Sequence, residues 1–274
     1  MKLEKNYQKV LVFIILLAFA CTMFLPIFST INLSLKAKKE MYRDPTSIVQ
    51  DPTLDNYESA AKKTKMKTLY LNSLFILVVG TGGCILLSTL VAFPVARKYV
   101  KGNKLVYMLI LVAMSIPPAL IPMYRMMNLL HLTNSLWGVS LYQMVTMMPT
   151  GIFIILGFID TIPIELDESA AIDGCGYFRY IFTILIPLLR PALATSAIFI
   201  GLTIWNDFFS AFLYLADSSK RTVSSGLYLL RGEFSTQYNL FSAGLMLMLI
   251  PITVFYIFFQ NKITEGMTAG SVKG

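Results

Sequence analysis

The acidic residues of this 274-residue chain are few and unevenly placed. Five of the 15 fall in one short stretch: Asp160, Glu165, Asp167, Glu168 and Asp173. Metal chemistry does not suit them, because the chain has one histidine, His131, and three widely separated cysteines, Cys21, Cys84 and Cys175. No nucleophile–base pair and no phosphate-binding glycine loop accompanies them, so enzymatic catalysis is not indicated either. What remains is electrostatics. Carboxylates in the first turn of a helix complement its positive end and offer negative charge to a basic partner. A second carboxylate stands out in Trp205-Asn206-Asp207, where Asp207 is the only acid inside a long apolar run. A charge at membrane depth is costly and marks a pathway or gate; at the outer end of a span it does no more than pair or hydrate.

The elements that must position these groups follow from composition. The chain is 56% hydrophobic and 14% charged, whereas a soluble domain carries about 25% charged residues. That excludes an ordinary cytosolic enzyme, a secreted disulfide scaffold and a disordered protein, and points to an all-α integral membrane protein. A spanning helix needs about 20 apolar residues. Six stretches qualify, at about 10–31, 69–96, 105–124, 135–159, 191–216 and 241–261, within a single transmembrane domain over 1–274. The first has a basic start like a signal peptide, but its apolar run is longer than a signal core, which predicts a retained helix. Six spans put both termini on one side. With the N-terminus inside, the inner segments carry eleven Lys and Arg and the outer ones twelve. The acid-free cluster Arg97, Lys98, Lys101 and Lys104 flanks two spans directly and favours the cytoplasmic side for both termini. The net charge of +8 then reports topology and anionic lipid headgroups, not nucleic acid. Prolines and glycines recur in the spans, either as ordinary membrane-helix residues or as bends around a pathway.

The stretch after the fourth span predicts a helix–turn–helix at the membrane surface. Pro163 suits a first helical turn, and Glu165, Asp167 and Glu168 favour a helix start. Ser169, Ala170 and Ala171 form a small-residue patch that another surface can approach. Asp173-Gly174 is a turn signal. A second short helix runs from about Tyr177 to Leu185, interrupted at Pro187. A plain solvated loop needs none of these features, so the segment reads as a docking element.

Glu168-Ser169-Ala170-Ala171-Ile172-Asp173-Gly174, followed by Ile186-Pro187, resembles the EAA loop of ABC importer permeases, with Ser169 in place of the usual first alanine and Ile186 directly before the proline. Further pieces resemble the membrane subunits of carbohydrate importers of the maltose-transporter type. They are Thr53-Leu54-Asp55-Asn56-Tyr57, Asn72-Ser73, Pro163 with Glu165-Leu166, Trp205-Asn206-Asp207-Phe208, and the tail from Gly266 to Gly274.

The resemblance implies a type I ABC importer permease fold: six transmembrane helices with a cytoplasmic coupling loop at 160–190, in the bacterial inner membrane. It implies a second related permease, two cytoplasmic ATPase domains and an extracytoplasmic sugar-binding protein as partners, besides lipid. This chain would bind no cofactor, with ATP and Mg held by the partner ATPase. Glu168 would pair with a basic residue of the ATPase, Gly174 would shape the turn and Asp173 would cap the next helix. Ser169, Ala170 and Ala171 would complete the docking face, and Trp205, Asn206 and Asp207 would line the pathway or a gate. The outer loop 217–240 would reach the binding protein. The cargo expected is a sugar or oligosaccharide. Glycerol-3-phosphate or another small solute is the alternative cargo, and a stand-alone secondary transporter the alternative class. The spans contain no Lys or Arg, which favours a neutral cargo over a phosphate.

Overall fold

A computed structural model describes residues 2–117, 119–231 and 237–269, with side chains over 9–260. In chain order the main helices are α1 (Lys2–Leu35), α2 (Lys38–Arg43), α3 (Asp55–Thr64), α4 (Met66–Ala96), α5 (Asn103–Ser115), α6 (Leu120–Leu129), α7 (Leu136–Ile159), α8 (Glu165–Ile172), α9 (Tyr177–Leu188), α10 (Arg190–Asn206), α11 (Phe209–Tyr214) and α12 (Tyr238–Ala269), with short helical turns at Ser218–Lys220, Val223–Gly226 and Leu227–Leu230. No strand occurs among the described residues. Four helices, α1, α4, α7 and α12, are long and apolar enough to cross a membrane, and the pairs α5–α6 and α9–α10 bring the number to six if each bent pair is one span.

Two expected spans are not single helices. The third stops at Ser115, and Ile116 takes an extended conformation (φ −86°, ψ 120°). Ile116 precedes Pro117, and the proline ring disfavours helical geometry in the residue before it. The fifth ends at Asn206, where Asp207 turns extended (φ −67°, ψ 108°) before α11 begins. The Asp207 carboxylate competes with the helix for backbone donors: its Oδ1 accepts from Ser210 N at 3.3 Å. Elsewhere the prolines do not break helices. Pro26, Pro94, Pro149 and Pro251 lie inside α1, α4, α7 and α12.

The described residues gather into two compact units, those within 1–66 and 226–251, and those within 67–225 and 252–269. In the first, an apolar cluster of Ala60, Leu227, Leu230, Leu240 and Ala243 sits beside a buried polar network. Lys36, at the end of α1, is wholly buried. Its Nζ donates to Asp44 O (2.7 Å) and Ser47 Oγ (2.9 Å). Asn56 Nδ2 donates to the carbonyls of Ser34 and Lys36, both at 2.8 Å, and its Oδ1 accepts from Asn239 at 2.9 Å. The neighbouring Tyr57 hydroxyl meets Ser34 Oγ at 2.7 Å. Hydrogen bonds from the Thr46 hydroxyl and amide and the Ser47 amide hold the Asp44 carboxyl below its ordinary range. The motif around Asn56 is therefore a staple. Asn56→Ala removes three hydrogen bonds and takes the amide away from the Ser34 carbonyl, while Asn239 Nδ2 keeps a 3.4 Å bond to Lys36 O; each buried group left without a bond costs about 1–3 kcal/mol. It should lower the unfolding temperature of the detergent-purified protein clearly, with Asn56→Asp intermediate.

The second unit packs α4, α7 and α10 through small residues. A Cβ at Gly151 would lie 2.5 Å from Ser88 Oγ, and one at Gly83 would lie 2.4 Å from the end of Met144. Helices in a membrane gain packing by such close backbone approach. Ser88 Oγ donates to Met148 O across the α4–α7 contact at 3.2 Å. One core cluster joins Phe93 of α4 and Ile155 and Ile159 of α7 to Ala170, Tyr180 and Leu185. The other joins Ile76, Tyr142, Ile200 and Tyr214.

Candidate coupling loop and polar cavity

The loop at 160–190 folds as the expected helix–turn–helix. Its first helix, α8, starts at Glu165, two residues after Pro163, and carries Glu165, Asp167 and Glu168 in its first turn. Its end has a specific geometry. Gly174 N donates to Ala171 O (3.1 Å) and Cys175 N to Ala170 O (2.9 Å), the two bonds of a Schellman termination. That motif needs a left-handed residue, and Gly174 supplies it at φ 70°. Nothing lies within 4 Å of a Cβ placed there, so the demand for glycine is conformational and not steric.

The chain then enters α9, in which Ile181–Leu185 adopts a π-helical turn. Ile186 N reaches back to Ile181 O, and the helix continues through Pro187, which has no N–H to give, to Leu188. This corrects the expected interruption at Pro187. Asp173 is also corrected. It ends α8, whereas Gly176 stands at the start of α9 with no side-chain cap, because α9 begins too far beyond Asp173 for its carboxylate to serve.

The residues expected to dock split between two faces. Glu168, Ser169, Ala171 and Gly174 are exposed, and the Ser169 hydroxyl donates to Glu165 O. Ala170 turns inward and is 7% exposed, within the core. The outer face adds apolar groups: Ile172 is 87% exposed and Phe178 66%.

Asp167 was missed as a site residue. It pairs with Arg97, the residue after α4, through Nε to Oδ2 at 2.6 Å and Nη2 to Oδ1 at 3.4 Å. Arg97 Nη2 also donates to Ile162 O at 3.0 Å, and the Tyr180 hydroxyl donates to Asp167 Oδ1. Both charged side chains are buried, at 8% and 6% exposure. One signal was present: Asp167 and Ala170 are three apart and so share a helix face.

Asp207 sits at a joint. Its Oδ2 accepts from Gln143 Nε2 of α7 at 2.6 Å, and its carbonyl accepts from Ser224 Oγ at 2.8 Å. Gln143 also donates to Ser210 Oγ at 3.2 Å. Tyr142, Gln143, Thr146, Met147, Leu202, Thr203, Asn206 and Asp207 line a cavity of about 390 Å³. Asn206 and Asp207 thus come together in its wall, while Trp205 is buried and is not part of the lining. Gln143 escaped notice because a neutral amide in a span carries no charge to flag it. Asp207→Ala strips one of two partners from the buried Gln143 amide, which keeps Ser210 Oγ; the lost charge-assisted bond is about 2–3 kcal/mol. We expect a lower unfolding temperature, with Asp207→Asn milder. Thermal stability equal to wild type in Asp207→Ala would refute the joint.

The motif Asn72-Ser73 anchors part of the loop 217–240. Asn72 Nδ2 donates to the carbonyls of Ser219 and Arg221, both at 2.9 Å, and Ser73 Oγ accepts from Val223 N at 2.8 Å. Residues 232–236 of that loop and 270–274 of the tail lie outside the described residues.

A family model described as binding-protein-dependent transport system inner membrane component matches residues 84–268. The chain is 32% identical over 258 residues to a melibiose/raffinose/stachyose import permease protein of Bacillus subtilis (strain 168), covering 93% of each chain. It is 30% identical over 281 residues to an arabinooligosaccharides transport system permease protein of Halalkalibacterium halodurans, covering 99% of this chain and 100% of the relative. Among solved structures, a bacterial ABC transporter involved in the import of the acidic polysaccharide alginate has the same fold, with a TM-score of 0.82 at 19% identity over 94% of this chain and 97% of that one.

Proposed function

Because this chain belongs to the family of binding-protein-dependent transport system inner membrane components, we propose that it forms half of the translocation pathway of an ATP-driven importer for a sugar or oligosaccharide. The observation that carries the cargo is similarity over nearly the whole chain to permeases named for oligosaccharides. The cavity agrees with it: amide, hydroxyl, aromatic and apolar groups and the Asp207 carboxylate line it, with no Lys or Arg, which disfavours a phosphate such as glycerol-3-phosphate.

In this reading a second, related permease supplies the other half, and an extracytoplasmic binding protein delivers the sugar. Two ATPase domains sit on the cytoplasmic side and hold ATP and Mg; this chain holds no cofactor. Both termini are cytoplasmic. Glu168 pairs with a basic residue of the ATPase, Ser169 and Ala171 let that surface close in, and Gly174 keeps α8 at its angle. Asn206 and Asp207 line the sugar's route. ATP binding draws the two coupling loops together and opens the pathway outward; hydrolysis resets it.

Purification of the tagged chain in mild detergent tests this assembly. An ATP-hydrolysing subunit and a second permease should co-purify with it. A chain that transports solute without any ATPase partner would be a secondary transporter, and the proposal would fall.

A further inference from the structure

The ion pair of Arg97 and Asp167 is the one buried ion pair among the described residues, and it joins segments that the apolar core already holds together. Phe93 packs its ring against Tyr99, Tyr177 and Tyr180 at 5.8, 5.9 and 5.2 Å. The Tyr177 hydroxyl donates to Leu90 O of α4 at 2.8 Å. Burying two charges costs desolvation, and a well-packed apolar pair of the same volume commonly serves stability as well or better. Stability is therefore a weak reason for this pair to exist. What a two-pronged Arg–carboxylate contact adds is direction: it has one geometry, whereas apolar surfaces slide. Here the geometry ties four points together, namely the end of α4, the turn at Ile162, the first turn of α8 and α9.

We infer that Arg97, Asp167 and Tyr180 are positioning residues that make α8 and α4 one lever, so that displacement of the exposed α8 face is delivered to a membrane-crossing helix. This rests on the reading of α8 as the ATPase-docking element. Glu168 receives the push on the outer face, and Asp167, one residue before it and turned inward, passes it on.

The test uses the whole transporter with its partner permease, ATPase and binding protein in proteoliposomes. A mixture of labelled melibiose, raffinose and maltotriose is the cargo probe, and uptake and ATP hydrolysis are measured together. In the double variant Arg97→Met with Asp167→Leu, the pair is replaced by apolar groups of similar bulk. The complex should assemble and keep its ATP hydrolysis, with an unfolding temperature lowered only by the bonds that the Tyr180 hydroxyl and Ile162 O lose, while sugar moved per ATP falls roughly three- to tenfold, within the span of measured coupling effects. Asp167→Glu, which keeps the charge, should recover most of the ratio. An unchanged ratio in the double variant overturns the lever. So does a loss of uptake, hydrolysis and thermal stability in step, which is the mark of a purely structural pair. A wild-type complex that hydrolyses no ATP or moves none of these sugars instead refutes the proposed function, and the lever goes with it.

Discussion

Glu168→Lys should abolish uptake while leaving the protein inserted, folded and at its normal level in the membrane. Glu168 lies in the first turn of α8 with its side chain exposed, so its contribution to the fold is limited to its interaction with the helix end, about 0.3–1 kcal/mol. Reversing the charge costs the chain little more than that. On a partner surface the same change turns attraction into repulsion, and like charges set against each other cost several kcal/mol. A contact that must form in every transport cycle does not survive such a loss. Uptake by cells carrying the variant, read beside the amount of protein in the membrane and the amount of ATPase that co-purifies, checks it. Normal uptake at normal abundance would show that α8 does not couple through this carboxylate.

The second large effect is at Gly174, where the order of the substitutions matters more than any one of them. The residue sits at φ 70° with open space around a Cβ. The penalty is therefore backbone strain alone, about 1–2 kcal/mol for an ordinary L-residue in this region. Asn and Asp visit it most readily, and β-branched side chains least. Uptake should fall in the order Gly, Asn, Asp, Val, with Gly174→Val close to inactive. The Schellman bonds from Gly174 and Cys175 back to α8 are what that strain pulls apart, so α8 loses its fixed end before the membrane core feels anything. Equal uptake for Val and Asn would mean that the turn has no part in coupling.

Much of this arrangement was legible in the residues. The long spans follow from charge-free apolar runs, and α8 from its carboxylates and Gly174. The helices over the third and fifth expected spans are interrupted for local reasons. Composition does not register that Ile116 must be extended before Pro117, nor that the Asp207 carboxylate takes a backbone donor and ends α10. The segment 160–190 was legible as a helix–turn–helix, but not in the ion pair that ties it to the end of α4. Arg97 reads as one of four clustered cations, and only the tertiary fold brings it to Asp167. Ala170 was placed on the docking patch because it is small, and small residues serve internal packing equally well. The glycines of α4 and α7 carried the same ambiguity between bending and close approach; Gly151, whose Cβ would lie 3.1 Å from Ser88 Cβ, marks close approach.

The central claim is that this chain moves a sugar and that α8 couples the movement to ATP. Uptake of a labelled panel of mono-, di- and oligosaccharides, polyols and glycerol-3-phosphate, in a strain lacking only this gene, tests it most directly. The account predicts loss of uptake of a sugar or oligosaccharide, restored by the wild-type chain and not by Glu168→Lys. Loss confined to glycerol-3-phosphate, or a sugar uptake that Glu168→Lys restores as well as wild type does, would contradict it.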